Sequence, residues 1–277
     1  VSANYILNQE DIDYVSKLIV QAGQMAPDMR ANIQICEKTG PYDRVTSADV
    51  ALSKLIVQRL VERFPDDRII SEEDSVHEES SGDGRTWLID PIDGTDNYIT
   101  NDGQYSVMIG LLLDMKPVFG WVFAPTTSTI YFGGPDYGSW KQLYNKKPTR
   151  FSLSEPLVQG SSVRLMVGYR DRKNNPWIAD LPGVTFVHTG SIGLKVAKVL
   201  DNEADLFIHL SGKLKSWDTA GPSAIALGGG LDVGGMNNDQ LVFPSDGFMH
   251  KTSVIIGRPG ALAWCRARLV DMIVPSK

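Results

Sequence analysis

The thirteen residues Trp87–Ile99, WLIDPIDGTDNYI, set three aspartates and a Gly-Thr pair inside a largely apolar run. Trp87, Leu88 and Ile89 predict a buried strand, and that strand runs directly into Asp90 and Asp93. Two carboxylates about 4 Å apart near a protein surface repel by on the order of 4 kcal/mol. Keeping them together calls for a cation that offsets the repulsion. Pro91 stiffens the backbone, so Asp90 and Asp93 are expected to project from a rigid turn, with the Ile92 carbonyl between them. Hard oxygen donors around a small space suit Mg²⁺, which takes carboxylates, water and phosphate at about 2.0–2.1 Å. Gly94 permits close approach of the backbone to a ligand, and Thr95 supplies a hydroxyl. A helix starting there would aim free N–H groups at an anion such as phosphate. The competing reading is a plain Asp-Gly turn with Asp90 as a strand-end cap.

Three further acidic segments bear on that choice. Ser71-Glu72-Glu73-Asp74 follows the short apolar strand RIIS, Val45-Thr46-Ser47-Ala48-Asp49 opens a helix, and Trp217-Asp218-Thr219-Ala220 opens another. Taken singly, Asp49 and Asp218 read as helix N-caps or solvated charges. Jointly, all of them lie at the ends of elements, where a sheet-based site gathers side chains.

Around these segments the periodicity is readable. Ile12, Val15, Leu18, Ile19 and Ala22 predict an amphipathic helix from Glu10 to about Arg30, followed by a loop through Lys38, Thr39 and Gly40. Leu52, Leu55, Ile56, Leu60 and Phe64 mark a second helix, ended by Pro65. Residues 74–86 are polar and Gly/Ser-rich and predict a loop. YSVMIGLLL, PVFGWVFAP and STIYFGG predict three neighbouring strands. Residues 145–160 turn basic and polar, marking a junction between an α+β half (1–148) and an α/β half (149–277). In the second half RLMVGY, VTFVHTG, DLFIHL and VIIGR predict strands, alternating with helices at Ser191–Asn202, from about Asp218, and over ALAWCRARLVDMI.

Bulk properties narrow the function. The 277 residues carry a net charge of -6, which argues against a nucleic-acid polymer or anionic membrane as partner. No apolar run reaches a membrane span's length, and no signal segment opens the chain. The two cysteines, Cys36 and Cys265, form no framework, so a reducing cytoplasm is the expected location. The four histidines have no zinc-ligand spacing, and no Ser-His-Asp or Cys-His arrangement offers a nucleophile.

The ordered set VTSAD, SEE, DPIDGT and WDTA resembles the inositol monophosphatase superfamily of Mg²⁺-dependent, lithium-sensitive phosphomonoesterases. The resemblance implies an α-β-α-β-α layered sandwich, two or three Mg²⁺ ions and a small phosphate-ester substrate. It implies that Glu72, Asp90 and the Ile92 carbonyl hold the metal that activates water, and that Asp90, Asp93 and Asp218 hold a second at the leaving oxygen. Asp49 and Glu73 would serve a third metal or orient water. Thr95, with Gly94 and neighbouring N–H groups, would bind phosphate, and Lys38 matches a lysine of the family's mobile loop. Asp49, Glu72 and Thr95 would then be the catalytic residues. A protein using the acids only as a structural or sensing metal site would have no need of Thr95 or Glu72.

Substrate class divides the superfamily into inositol monophosphatases, sugar bisphosphatases and 3'(2'),5'-bisphosphate nucleotidases. NDGQYSVMIGLL, GWVFAP and GSIGLK look like the nucleotidase branch, and no acid stands between Asp205 and Asp218 to bind inositol hydroxyls. Gly190, Ser191, Lys195, His209 and Lys213 are the expected substrate contacts, with the cations facing a second phosphate. The alternatives for the lysines are a solvated loop (Lys213) and an exposed helix face (Lys195). Asp96-Asn97-Tyr98 after the DGT is closer to the inositol enzymes, and His209 stands where nucleotidases usually carry arginine. Gly221-Pro222 replaces the more familiar Ala-Gly after WDTA.

Overall fold

The computed structural model describes residues 6–40, 43–77, 84–152, 155–158, 160–244 and 248–273. Helix α1 (Gln9–Met29) starts at Asn8, whose side chain accepts from the Asp11 N–H. Strands β1 (Ile35–Gly40) and β2 (Asp43–Thr46) pair antiparallel and lead into α2 (Ser47–Arg63). There follow β3 (Arg68–Ser71), β4 (Asp74–His77), β5 (Arg85–Asp93), the short helix α3 (Thr95–Thr100), β6 (Ser106–Leu113), β7 (Lys116–Ala124), β8 (Thr129–Gly134), β9 (Gly138–Leu143) and β10 (Thr149–Arg150). These eight strands form one sheet in the order β10-β9-β8-β7-β6-β5-β3-β4, in which β3 and β5 are the parallel neighbours.

The chain continues through β11 (Val163–Val167), α4 (Tyr169–Asn174), β12 (Val184–Phe186), α5 (Ile192–Leu200), β13 (Leu206–His209), α6 (Ser216–Gly228), β14 (Asp232–Gly234), β15 (Val254–Gly257) and α7 (Ala261–Ile273). Its five strands make a second, mixed sheet in the order β12-β11-β13-β15-β14.

Alternation along the central strands sorts the core into layers. Val107, Ile109 and Leu111 of β6 and Phe119, Trp121 and Phe123 of β7 face α1 and α2, meeting Val15, Ile19, Leu52 and Ile56. Phe64, Trp87 and Trp121 stack through this layer, with ring centroids 4.7 and 5.9 Å apart. The intervening residues Met108 and Val122 face the other way, packing with Val196 of α5, Ile225 of α6 and Phe207 and Ile256 of the second sheet. The far side of that sheet, with Leu165, Ile208 and Ile255, is closed by Trp264 and Leu269 of α7. Each large apolar side chain so enclosed stabilises by roughly 1.5–3 kcal/mol. The result is the α-β-α-β-α layered sandwich. Among the described residues no helix is long and apolar enough to cross a membrane.

Several local expectations are corrected. The segment around Lys38 is not a loop but strand β1, paired with β2. The polar run 74–86 opens with β4 and closes in β5, while residues 78–83 lie outside the described set. The strand expected over RLMVGY stops at Val167, and Tyr169 opens α4. Strands β9 and β14 had no clear apolar alternation, and pairing with neighbours already in place forms them.

Candidate active site

Asp90 and Asp93 do not sit on a turn beyond the strand; β5 runs through both. Asp90 pairs with Met108, and Asp93 pairs with Ser106, so three steps on β5 oppose two on β6. This is a bulge. In an unbroken strand residues three apart face opposite sides, and the inserted residue restores both aspartates to one face. That is the face of Met108, towards α5 and α6. Pro91 occupies the irregularity, where its missing N–H costs no ladder bond. Beside Asp90, the parallel β3 ladder continues one residue past Ser71, with the Glu72 N–H donating to the Ile89 carbonyl at 3.0 Å.

Two helix starts complete the cluster. Asp49 sits three residues past Thr46 and accepts from the Thr46 N–H at 2.9 Å in a capping box. Asp218 repeats the arrangement at α6, accepting from the Lys215 N–H at 2.7 Å. Neither aspartate is the N-cap itself: Thr46 and Lys215 hold that position, and each aspartate stands three residues on, where one oxygen bonds back to the cap N–H while the carboxylate stands at the site. Glu72, Asp90 and Asp218 each present an oxygen within 4.8 Å of the others. Asp93 is outside this tight trio. Its Oδ2 accepts from the Ser191 hydroxyl and from the Gly193 N–H at 2.8 Å, which docks the start of α5 on β5.

Gly94 adopts a left-handed conformation, φ 92°, which favours glycine and turns the chain into α3. Thr95, the first residue of α3, donates its hydroxyl within reach of the Ile92 carbonyl (3.2 Å) and Asp49 Oδ1 (3.4 Å). Lys38 reaches in from β1 and donates to Glu72 at 3.1 Å and Glu73 at 2.6 Å.

The charge state of this group is abnormal. Burial, then Glu72 and Asp93, push the Asp90 carboxyl well above its ordinary pKa, and burial followed by the same two neighbours does so for Asp218. Burial also raises Asp49, Glu72 and Asp93, and pushes Glu73 up to about 7. For Lys38 burial opposes the charge, but Glu72 and Glu73 outweigh it and hold the ammonium above its usual value. A ring of buried and half-buried acids, with Lys38 at Glu72 and Glu73 and Lys195 near Asp93 and Asp218, is short of positive charge. Its hard oxygen donors fit Mg²⁺.

A cavity of about 360 Å³ opens on the acids, and Glu72, Asp90, Ile92, Asp93, Gly94, Thr95 and Asp218 line it. Arg44, Asp96, Asn97, Gly168, Arg170, Gly190, Ile192, Lys195, Phe207 and His209 supply the rest. A larger groove of about 1220 Å³ between α1 and β7–β9 includes none of the clustered acids. Lys195 is not on an exposed helix face: it is 6% exposed, and its ammonium donates to the Gly190 carbonyl at 2.6 Å. His209 is held by Asp171 at 3.0 Å and by the Ser211 hydroxyl at 2.7 Å. Ser191, expected at the substrate, is fully buried and bonds Asp93 and Ser106 instead. Lys213, also expected there, is exposed and does not line the cavity. Arg44 and Arg170 do line it and were not foreseen. Arg44 directly precedes the VTSAD run, the one local hint available.

The sequence over residues 8–271 matches the inositol monophosphatase family. Among curated relatives, the 3'(2'),5'-bisphosphate nucleotidase CysQ of Haemophilus influenzae is 29% identical over 230 residues, covering 79% of this chain and 82% of the relative. Inositol monophosphatase 1 of Bos taurus is 29% identical over 245 residues, covering 82% and 85%. The solved structure of the Thermotoga maritima IMPase superposes with a TM-score of 0.75 at 23% identity, covering 96% of this chain and 97% of that one, a likeness of fold. The acid ring, the threonine beside it and the matched length agree: this chain belongs to the inositol monophosphatase family and is a phosphomonoesterase.

Proposed function

We propose that the chain is a 3'(2'),5'-bisphosphate nucleotidase that hydrolyses adenosine 3',5'-bisphosphate to AMP and phosphate. The observation that carries this reading is the composition of the cavity. Arg44, Arg170, Lys195 and His209 line it beside the acid ring, and the one further acid in its lining, Asp96, is paired with Arg44 at 3.4 Å. A substrate with a second phosphate brings further negative charge for Arg44, Arg170 and Lys195 to meet. An inositol ring would call for acceptors at its hydroxyls.

In this reading Glu72, Asp90, the Ile92 carbonyl, Asp93 and Asp218 would hold two Mg²⁺ ions, and Asp49 and Glu73 would serve a third. Mg²⁺ there supplies charge neutralisation of the phosphoryl group and a more acidic water. The chain's own residues orient and move the proton: Thr95 Oγ1, 3.4 Å from Asp49 Oδ1, would take it from the attacking water while passing its own to Asp49. Gly94 and the N–H groups beside Thr95 hold the phosphate. Residues 1–148 act as the metal-binding unit, joined by Asp218, and 149–277 as the specificity unit, joined by Arg44, working in the cytoplasm on a small molecule. Li⁺ inhibition belongs to the same proposal.

The test is kcat/KM for adenosine 3',5'-bisphosphate, inositol 1-phosphate and fructose 1,6-bisphosphate, each with Mg²⁺ and with EDTA. The reading expects the nucleotide to lead by at least about tenfold, the scale of one charge-assisted contact. A lead by either of the other two would replace it.

A further inference from the structure

Gly168 and Arg170 both line the cavity, and between them stands Tyr169. Its side chain is 72% exposed, more than any other large apolar side chain noted among the described residues. A single exposed aromatic needs no explanation by itself. Here the position does, because the backbone carrying it is anchored. Asp171, two residues on and 1% exposed, pairs with His209 at 3.0 Å and accepts from the Leu210 N–H at 3.1 Å. The start of α4 is thereby tied to the end of β13, the strand end that supplies His209 to the same cavity. The backbone that carries the ring is thus fixed beside the cavity, so a flat ligand packing there has only the side chain to order.

Arg44 belongs to β2 and is ion-paired with Asp96, the residue next to Thr95 in α3. That pair leaves a guanidinium with further N–H donors at the cavity, in the fork geometry that suits phosphate. Arg170 adds a second guanidinium from α4.

We infer that the rim formed by Tyr169, Arg170 and Arg44 is the subsite for the part of the substrate that is not hydrolysed. Tyr169 is a stacking platform for a nucleobase, and the two arginines take the second phosphate. The inference rests on the nucleotidase reading and names its specificity residues. Stacking of a base on an aromatic side chain is worth roughly 10- to 100-fold in affinity.

The experiment is steady-state kinetics of the Mg²⁺-loaded enzyme on four substrates: adenosine 3',5'-bisphosphate, ribose 3,5-bisphosphate, adenosine 2'-monophosphate and inositol 1-phosphate. Tyr169→Ala should raise KM for adenosine 3',5'-bisphosphate about 10- to 100-fold. The ratio of its kcat/KM to that of ribose 3,5-bisphosphate should fall by the same factor, and Tyr169→Trp should restore it. Arg170→Met and Arg44→Met should lower the ratio of adenosine 3',5'-bisphosphate to adenosine 2'-monophosphate. Unchanged ratios, or equal losses on all four substrates, overturn the subsite. If the wild-type enzyme shows no preference for a second phosphate, the nucleotidase reading fails separately. The platform is then judged on adenosine 2'-monophosphate against inositol 1-phosphate: a ratio that survives Tyr169→Ala overturns it, and one that collapses supports it.

Discussion

Asp90 is the buried member of the trio, within 4.8 Å of both Glu72 and Asp218 through its carboxylate. An amide there keeps the shape and removes the charge that would hold a cation. Asp90→Asn should lower turnover on the order of a thousandfold or more, about 4 kcal/mol of transition-state stabilisation. In EDTA its thermal midpoint should rise by a few degrees, since about 1 kcal/mol corresponds to roughly 2–4 °C in a chain of this size. Near-wild-type turnover at saturating Mg²⁺ would remove Asp90 from the metal set. Lys195 is the complementary case. Burial pulls its ammonium below the ordinary lysine pKa while Asp93, Asp218 and Asp171 support the charge. Lys195→Met keeps the apolar stem, and should cost about 10- to 100-fold in kcat/KM for adenosine 3',5'-bisphosphate, with a much smaller loss for inositol 1-phosphate. Equal losses would mean that Lys195 acts by holding the Gly190 carbonyl in place.

Helix α6 shows how an element, rather than a side chain, sets the site. It crosses β6 and β7 at backbone contact: a Cβ at Gly120 would lie 2.2 Å from the Gly221 carbonyl oxygen, and one at Gly110 would lie 2.4 Å from the Gly221 nitrogen. Gly221, the departure from Ala-Gly after WDTA, contributes as well, since a Cβ there would lie 2.7 Å from the Ile109 carbonyl oxygen. The first turn of the same helix carries Asp218. Gly120→Ala should therefore destabilise by about 1–3 kcal/mol or more, because neither backbone can yield without moving the helix. It should also lower kcat by displacing Asp218 from Glu72 and Asp90. A shifted urea midpoint together with unchanged kcat would show that α6 tolerates the displacement without moving its first turn.

Across the whole molecule, the buried acids couple stability to pH and metal. Their folded-state pKa values lie above the unfolded ones, so over that window the folded chain binds more protons than the unfolded chain. Metal-free stability accordingly falls as pH rises from the ordinary carboxylate range through about 7, the value reached by Glu73. Mg²⁺ requires the deprotonated acids and reverses that loss. The rise in thermal midpoint on adding saturating Mg²⁺ should be larger at about pH 8 than at about pH 5.5, with EDTA abolishing the difference. A rise independent of pH would place the stabilising ion away from these carboxylates.

The sequence by itself determined what depends on neighbours along the chain. The spacing of Ile12, Val15, Leu18 and Ile19 specifies the buried face of α1, and the apolar runs after Tyr105 and Pro117 specify β6 and β7. The acidic motifs at element ends marked the side chains that gather at the cavity, since strand ends and helix starts are local chemistry. Only the tertiary structure decided register and adjacency. The bulge opposite Met108 and Ser106, which turns Asp90 and Asp93 to one face, is a property of two strands together. The enclosure of Lys195, the bond from Lys38 to Glu72 and the gathering of Arg44 and Arg170 at one cavity each join segments far apart in the chain. No local periodicity encodes such distances, because they are set when the faces of separate elements bury against one another.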